Sequence, residues 1–301
     1  MTHPVAEALV AGVDQLRHAA VPSARHDAEA LLAHVLQTTR LRVYRSNPLN
    51  AAQQTSYQEL LDRRAAREPL QHLLGSAAFR YRDLAVGPGV FVPRPETEVM
   101  AGVAIDELRQ VIDSGVAHPR AVDLCTGSGA VAVAMATEAL GSLVTGVELS
   151  AEAAAYAARN AAGHHVEIRI GDMADTDLAD LRGQVSVVTA NPPYIPLTAF
   201  ESVDVEAREF DPPMALWSGD DGLDAIKVVA QVAAQLLVDG GLVTCEHADV
   251  QDESAPAVFA SSGEWTEVRD HRDLAGRPRF VTARRARRSR RGANTSPGLA
   301  P

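Results

Sequence analysis

The chain has 301 residues, a net charge of −11, 46% hydrophobic residues and two cysteines, Cys125 and Cys245. That apolar content is ample for a buried core, yet no run approaches the roughly 18 residues of a membrane-spanning helix, and no membrane partner is expected. Two cysteines supply neither a disulfide framework nor a cysteine-based zinc site, and an acidic chain is a poor match for a phosphate backbone. The first fifteen residues include Glu7 and Asp14 and lack a basic stretch followed by an apolar one. No secretory leader is expected there, which points to a cytoplasmic protein.

From residue 4 to about 68 the spacing predicts helices. Val5, Leu9, Val13 and Leu16 share one helical face, and Ala30, Leu31, His34 and Val35 follow a start signal at Pro22-Ser23. A third helix is expected from Ala51 to Arg67, stopped by Glu68-Pro69. These make a small all-α N-terminal domain over 1–75. Phe79-Arg80-Tyr81 and Val90-Phe91-Val92 then bracket Gly87-Pro88-Gly89, which predicts a β-hairpin linker over 76–93.

Strand and helix patterns alternate from Arg120 onward. Strands are expected at Ala121–Cys125, Ser142–Glu148, Val166–Ile170, Val185–Ala190 and Gly241–Glu246, with helices at 130–140, 151–162 and 222–238 between them. This order argues for an α/β domain over 94–283, its sheet mostly parallel and covered on both faces. Trp265–Asp270 and Arg279–Ala283 read as two further strands joined through Gly276. Arg284, Arg285, Arg287, Arg288, Arg290 and Arg291 then open a tail over 284–301 that has no acidic residue. It reads as a solvated, disordered end, with nucleic-acid or ribosome binding as the alternative.

Four strand ends carry chemistry. The first strand runs into Asp123-Leu124-Cys125-Thr126-Gly127-Ser128-Gly129, where glycines bring backbone N–H groups close to a ligand ahead of a helix. The second ends in Glu148, about 20 residues on, where a carboxylate can accept both hydroxyls of a ribose. Gly127 to Ala132 also fits the G-x-G-x-x-A pattern, so a nicotinamide dinucleotide stands beside S-adenosyl-L-methionine as a candidate. Two features favour S-adenosyl-L-methionine. The third strand ends in Gly171-Asp172-Met173, which places Asp172 for an adenine amino group and Met173 for its ring. The fourth ends in Asn191-Pro192-Pro193-Tyr194, which has no task in hydride transfer. Cys125 has no His or Lys beside it in sequence and reads as a small loop residue rather than a nucleophile. Glu246-His247, at the end of the fifth strand, is expected to pack or hydrogen-bond.

The tetrapeptide sits where open α/β sheets place their ligand crevice. Each proline fixes its φ, lacks an N–H and holds the preceding residue extended, so the backbone is stiff and its carbonyls face outward. Asn191 adds a side-chain carbonyl, and Tyr194 adds a flat ring. Two acceptors and a ring suit a planar –NH2 group. If Asn191 Oδ1 and the Pro192 carbonyl accept both N–H hydrogens, electron density moves onto nitrogen. The lone pair is then aimed out of the plane at an electrophile such as a sulfonium methyl. Ideal orientation contributes up to roughly 7–11 kcal/mol, without a nucleophilic side chain or a metal. The plainer reading is a rigid Asn-Pro turn.

The chain resembles the release factor glutamine methyltransferases (HemK/PrmC). The resemblance runs up to the basic tail and is carried outside the general core by Glu68-Pro69-Leu70-Gln71-His72-Leu73-Leu74-Gly75 and Phe91-Val92-Pro93-Arg94-Pro95-Glu96-Thr97-Glu98. Asp211-Pro212-Pro213-Met214-Ala215-Leu216, with Asp211 where the family usually has Glu, is similar too, as are Glu246-His247 and Gln251. The resemblance implies a Rossmann-like, seven-stranded class I methyltransferase domain behind the hairpin and a helical domain that recognises the substrate. Its implied substrate is the side-chain amide of the glutamine in the Gly-Gly-Gln motif of class 1 peptide chain release factors. It further implies that Cys125 to Gly129 cradle the methionine part of the cofactor, Glu148 its ribose, and Met173 its adenine. Asn191 and Pro192 would hold the amide, with Tyr194 beside it. A nucleic-acid exocyclic-amine methyltransferase is the alternative enzyme, and a cofactor-binding docking protein without turnover is the alternative class.

Overall fold

The computed structural model describes residues 5–287. Helices α1 (Val5–His18), α2 (Ala24–Val35), α3 (Ala51–Ala65) and α4 (Leu70–Leu74) close on a core that includes Leu9, Leu16, Leu31, Leu32 and Leu61. Each large apolar side chain removed from water stabilises this bundle by roughly 1.5–3 kcal/mol. The start of α3 is fixed by a reciprocal capping box, Gln53 N–H to Asn50 Oδ1 at 2.9 Å and Asn50 N–H to Gln53 Oε1 at 3.0 Å.

A hairpin follows, but not where the glycines suggested. Strands β1 (Ser76–Phe79) and β2 (Arg82–Ala85) pair antiparallel and turn at Arg80-Tyr81. Arg80 adopts φ 52°. It is held there by its own contacts, its N–H to Glu98 Oε1 at 2.9 Å and its guanidinium to the Glu98 carbonyl at 3.0 Å and Glu138 Oε2 at 2.7 Å. The Gly87–Gly89 segment turns elsewhere, and Val86, Val90 and Val92 pack with Ala153 and Tyr156. Val90-Phe91-Val92 is therefore not a strand.

Helix α5 (Thr97–Asp113), which the sequence reading did not mark, leads into the main sheet. The sheet elements are β3 (Arg120–Leu124), β4 (Leu143–Glu148), β5 (Val166–Ile170), β6 (Val185–Ala190), β7 (Leu237–Glu246), β8 (Trp265–Arg272) and β9 (Pro278–Arg285). Between them run α6 (Ala130–Glu138), α7 (Ala151–Ala161), α8 (Val205–Phe210), α9 (Asp224–Leu236) and α10 (Ser254–Ala260). The spatial order is β5-β4-β3-β6-β7-β9-β8, with β9 antiparallel to both neighbours and the other pairs parallel. Both faces are covered, so the central strands read as unbroken apolar runs. Val122, Val188 and Val243 join α9 and α10 in one core, while Ala121, Val187 and Leu242 join α5 and α6 in the other.

The last strand corrects the expected domain end. Arg284 and Arg285 lie in β9, not in a tail: Arg284 grips both Glu107 oxygens at 2.9 and 2.8 Å. Buried Arg285 donates to the Ala234 carbonyl at 2.8 Å and pairs with Glu264. The remainder of the expected tail, 288–301, lies outside the described residues. Among the described residues, no helix is long and apolar enough to cross a membrane.

Candidate active site

The chain order reverses between β3 and β6, which are neighbours, so the loops leaving their C-terminal ends part and open a crevice. A cleft of about 1010 Å³ lies there. Cys125, Thr126, Gly127, Ser128, Glu148, Asp172, Met173, Asn191, Pro193 and Tyr194 all line it. Two expected site residues do not. Gly129 packs at the back of its loop, where a Cβ would stand 3.3 Å from the Ala157 backbone, and Pro192 is buried.

The glycine loop is tied down from below by Asp123. One carboxylate oxygen accepts from the Thr126 hydroxyl and the other from Thr189 in β6, each at 2.6 Å. Complete burial pushes this carboxyl up to about 6. The sequence reading missed it because Thr189 is far away in the chain. Cys125 turns through φ 58°, a left-handed conformation that costs a non-glycine residue roughly 1–2 kcal/mol. Its thiol lies 3.7 Å from Met173 Sδ, and burial pushes its pKa up, which disfavours the thiolate a nucleophile would need.

Glu148 is oriented by two backbone donors, Gly127 N–H at 2.8 Å and Ser150 N–H at 2.9 Å, one to each oxygen. Each oxygen keeps a second acceptor site. Asp172 is exposed and accepts the Ala174 N–H at 2.9 Å on one oxygen only. Half-buried Met173 offers a thioether suited to an aromatic ring. A carboxylate presented to hydroxyls, a soft apolar wall and a glycine-lined loop fit the ribose, adenine and methionine portions of S-adenosyl-L-methionine.

At the end of β6, Asn191 Nδ2 donates to Thr97 Oγ1 at 3.4 Å. Thr97 in turn donates to Glu246 Oε2 at 2.7 Å, and Tyr194 OH donates to Glu246 Oε1 at 3.3 Å. Burial pushes the Glu246 carboxyl up to about 7 and raises the Tyr194 phenol. The Tyr194 carbonyl accepts from Gln251 Nε2 at 3.1 Å, and the same Nε2 donates to the Asp221 carbonyl at 3.1 Å. Gly222 lets these two loops meet, since a Cβ there would fall 2.2 Å from the Tyr194 carbonyl oxygen. Neither Asn191 Oδ1 nor the Pro192 carbonyl accepts a hydrogen bond from the described residues.

The outer wall comes from the 91–97 stretch and from the helical domain. Phe91, Pro93, Arg94 and Thr97 reach the cleft, with Arg94 bonded to Asp211 at 2.8 Å and lying over Phe91. From the helical bundle come Pro22, Ser23, Arg64 and Arg67. Arg64 spans Asp27 at 2.8 Å and Glu206 in α8 at 2.7 Å, and Arg67 also holds Glu206, at 3.0 Å. The bundle is thus fastened across the cleft mouth.

Residues 7–75 match the family model described as the PrmC N-terminal domain, and residues 121–206 match one described as a methyltransferase domain. Fold, cleft and match together define an S-adenosyl-L-methionine-dependent methyltransferase. The chain is 50% identical over 272 residues to the release factor glutamine methyltransferase of Streptomyces coelicolor, covering 90% of this chain and 95% of that protein. It is 42% identical over 283 residues to that of Mycolicibacterium smegmatis, covering 94% and 98%. The chain belongs to the release factor glutamine methyltransferase family. A relative from Streptomyces pristinaespiralis, 38% identical over 88% of this chain and 90% of its own length, is named a 4-amino-L-phenylalanine/4-methylamino-L-phenylalanine methyltransferase.

Proposed function

We propose that the protein transfers a methyl group from S-adenosyl-L-methionine to the side-chain amide nitrogen of the glutamine in the Gly-Gly-Gln motif of class 1 release factors, in support of translation termination. The observation that carries this reading is that Asn191 Oδ1, on the cleft wall, and the adjoining Pro192 carbonyl accept no hydrogen bond from the described residues, while the Asn191 NH2, the Tyr194 hydroxyl and the Tyr194 carbonyl are engaged. A primary amide has two N–H donors for them. The amide's lone pair is delocalised, and accepting both hydrogens returns density to nitrogen while fixing the plane of the group. Tyr194, held by Glu246, supplies a flat wall for that plane.

When bound, S-adenosyl-L-methionine supplies an electrophilic methyl on sulfur. The chain's part is to hold the two reactants in line, which is where most of the acceleration arises. Glu148 and the Cys125–Gly129 loop would hold the cofactor, with Asp172 and Met173 at its adenine. A wide mouth bounded by the helical bundle and by half-exposed Met214 suits a glutamine presented on a protein loop. The Streptomyces pristinaespiralis relative is named for an aryl amine, another delocalised –NH2, which fits the same clamp chemistry. A nucleic-acid exocyclic amine would also fit the clamp, but the full-length relatives named above do not carry such a name.

Asn191→Ala tests the clamp. Turnover on release factor should fall by about 100-fold or more, as when one preorganised hydrogen-bonding group is removed from a reacting centre. Cofactor affinity, measured by calorimetry, should stay near wild type. Near-normal turnover would refute the clamp.

A further inference from the structure

We propose that Thr97 is a positioning residue, whose hydroxyl fixes which face of the Asn191 amide meets the substrate, and that Glu246 sets the direction of that hydroxyl. The proposal rests on the amide-methylation reading given above.

An asparagine amide presents a carbonyl on one side and an NH2 on the other, nearly alike in shape. A half-turn about its last bond exchanges them. In the clamp only the carbonyl is useful, because an NH2 facing a substrate NH2 sets donor against donor. Packing discriminates the two orientations poorly, so the selection has to come from a polar neighbour of fixed direction.

Thr97 is such a neighbour. It is the first residue of α5 and almost fully buried. A hydroxyl has a single proton to donate. Here that proton is committed to Glu246 Oε2 at 2.7 Å, a charge-assisted contact when the carboxyl is ionised. A protonated Glu246 can still accept from Thr97 at this oxygen while carrying its own proton on the side of Tyr194. Thr97 Oγ1 therefore has only lone pairs to offer Asn191, and the side chain that meets it at 3.4 Å must do so with Nδ2. Oδ1 is then left for the substrate. The second oxygen of Glu246 receives the Tyr194 hydroxyl, so one buried carboxylate sets both the amide and the ring of the tetrapeptide. Glu246 is itself fully enclosed at the end of β7, and Thr97 is anchored on a different layer of the fold. The relay thus transmits orientation from the packed core to the reacting group.

The test compares Thr97→Val with Thr97→Ser. Valine keeps the shape and loses the hydroxyl, whereas serine keeps the hydroxyl and loses a methyl. Steady-state methylation of purified class 1 release factor is measured for both, beside the wild type, with cofactor affinity by calorimetry as the control for folding. Thr97→Val should lose about tenfold or more in kcat, the effect of one misdirected contact at the reacting centre, with cofactor affinity within about twofold. Thr97→Ser should stay within about threefold of wild type. If packing is all that Thr97 provides, the order reverses, with valine active and serine impaired. That order, or equal behaviour of the two variants, overturns the proposal. Should Thr97→Val fail to bind cofactor, Thr97→Ala serves as the smaller hydroxyl-free variant under the same criterion. A wild-type enzyme that leaves the glutamine unmethylated overturns the amide reading itself and the proposal with it. An active wild type with the wrong order of variants overturns the relay alone.

Discussion

Glu148 and Asn191 stand at the ends of β4 and β6, on either side of β3, and the different roles proposed for them mean that their variants should separate cleanly. Glu148→Ala removes the acceptor proposed for the ribose and also frees the Gly127 and Ser150 N–H groups it holds. Cofactor affinity should therefore fall, by about 10- to 100-fold for a lost pair of hydrogen bonds to a charged group. An unchanged dissociation constant would contradict the assignment. Glu246 makes a different prediction, about stability. Its folded pKa is raised by burial from 4.5 to about 7. Between those values the folded chain keeps a proton that the unfolded chain has lost, so its contribution is full below pH 4.5 and declines as pH rises to about 7. Glu246→Gln should flatten that part of the Tm-against-pH curve, and a curve that keeps its wild-type slope would speak against a buried, proton-retaining Glu246. That Glu148 and Asn191 line the cleft could be read from sequence because each stands at the end of a strand. Thr97 and Asp123 could not be assigned their parts, since their partners lie far along the chain: Asn191 is 94 residues from Thr97, and Thr189 is 66 from Asp123.

At the scale of elements, the alternation of strands and helices from β3 to β7 was legible because the central strands are buried on both faces and largely apolar, while the edge strand β5 alternates apolar with charged residues. The hairpin was misplaced because glycine and proline are the usual marks of a turn, whereas this turn is made by Arg80, fixed through Glu98 and Glu138 from α5 and α6. No local pattern announces an arginine that turns the chain by long-range ion pairing. The same holds for the end of β9, where the arginine-rich composition suggested a tail but Glu107 and Glu264 hold Arg284 and Arg285 in the sheet. The contact between α2 and α3 gives a quantitative expectation. Arg64 and Asp27 have side-chain exposures of 4% and 2%. Asp27→Ala strips a buried guanidinium of one partner and should destabilise the chain by about 3–5 kcal/mol, read from urea unfolding. A loss below about 1 kcal/mol, the range of exposed pairs, would mean that water replaces the carboxylate there.

Across the whole molecule, the cleft is assembled from both ends of the described chain, with lining residues from Pro22 to Arg279. Deleting 288–301 should leave release factor methylation within about twofold of wild type, because its composition, rich in Arg, Gly, Ser and Pro, reads as a solvated end. Deleting from 284 onward should instead cost stability, since it removes the β9 anchors Arg284 and Arg285. A large loss of activity on the shorter deletion would make the basic segment a docking element. The helical bundle, fastened to α8 through Arg64, Arg67 and Glu206, forms part of the wall of the cleft. This arrangement makes the identity of the methyl acceptor the central question. The measurement is transfer of label from methyl-labelled S-adenosyl-L-methionine to purified class 1 release factor, beside the factor whose Gly-Gly-Gln glutamine is replaced by alanine and beside duplex DNA. Label on the wild-type factor alone is the expected result. Label on DNA, equal label on the alanine variant, or none on the wild-type factor would contradict it.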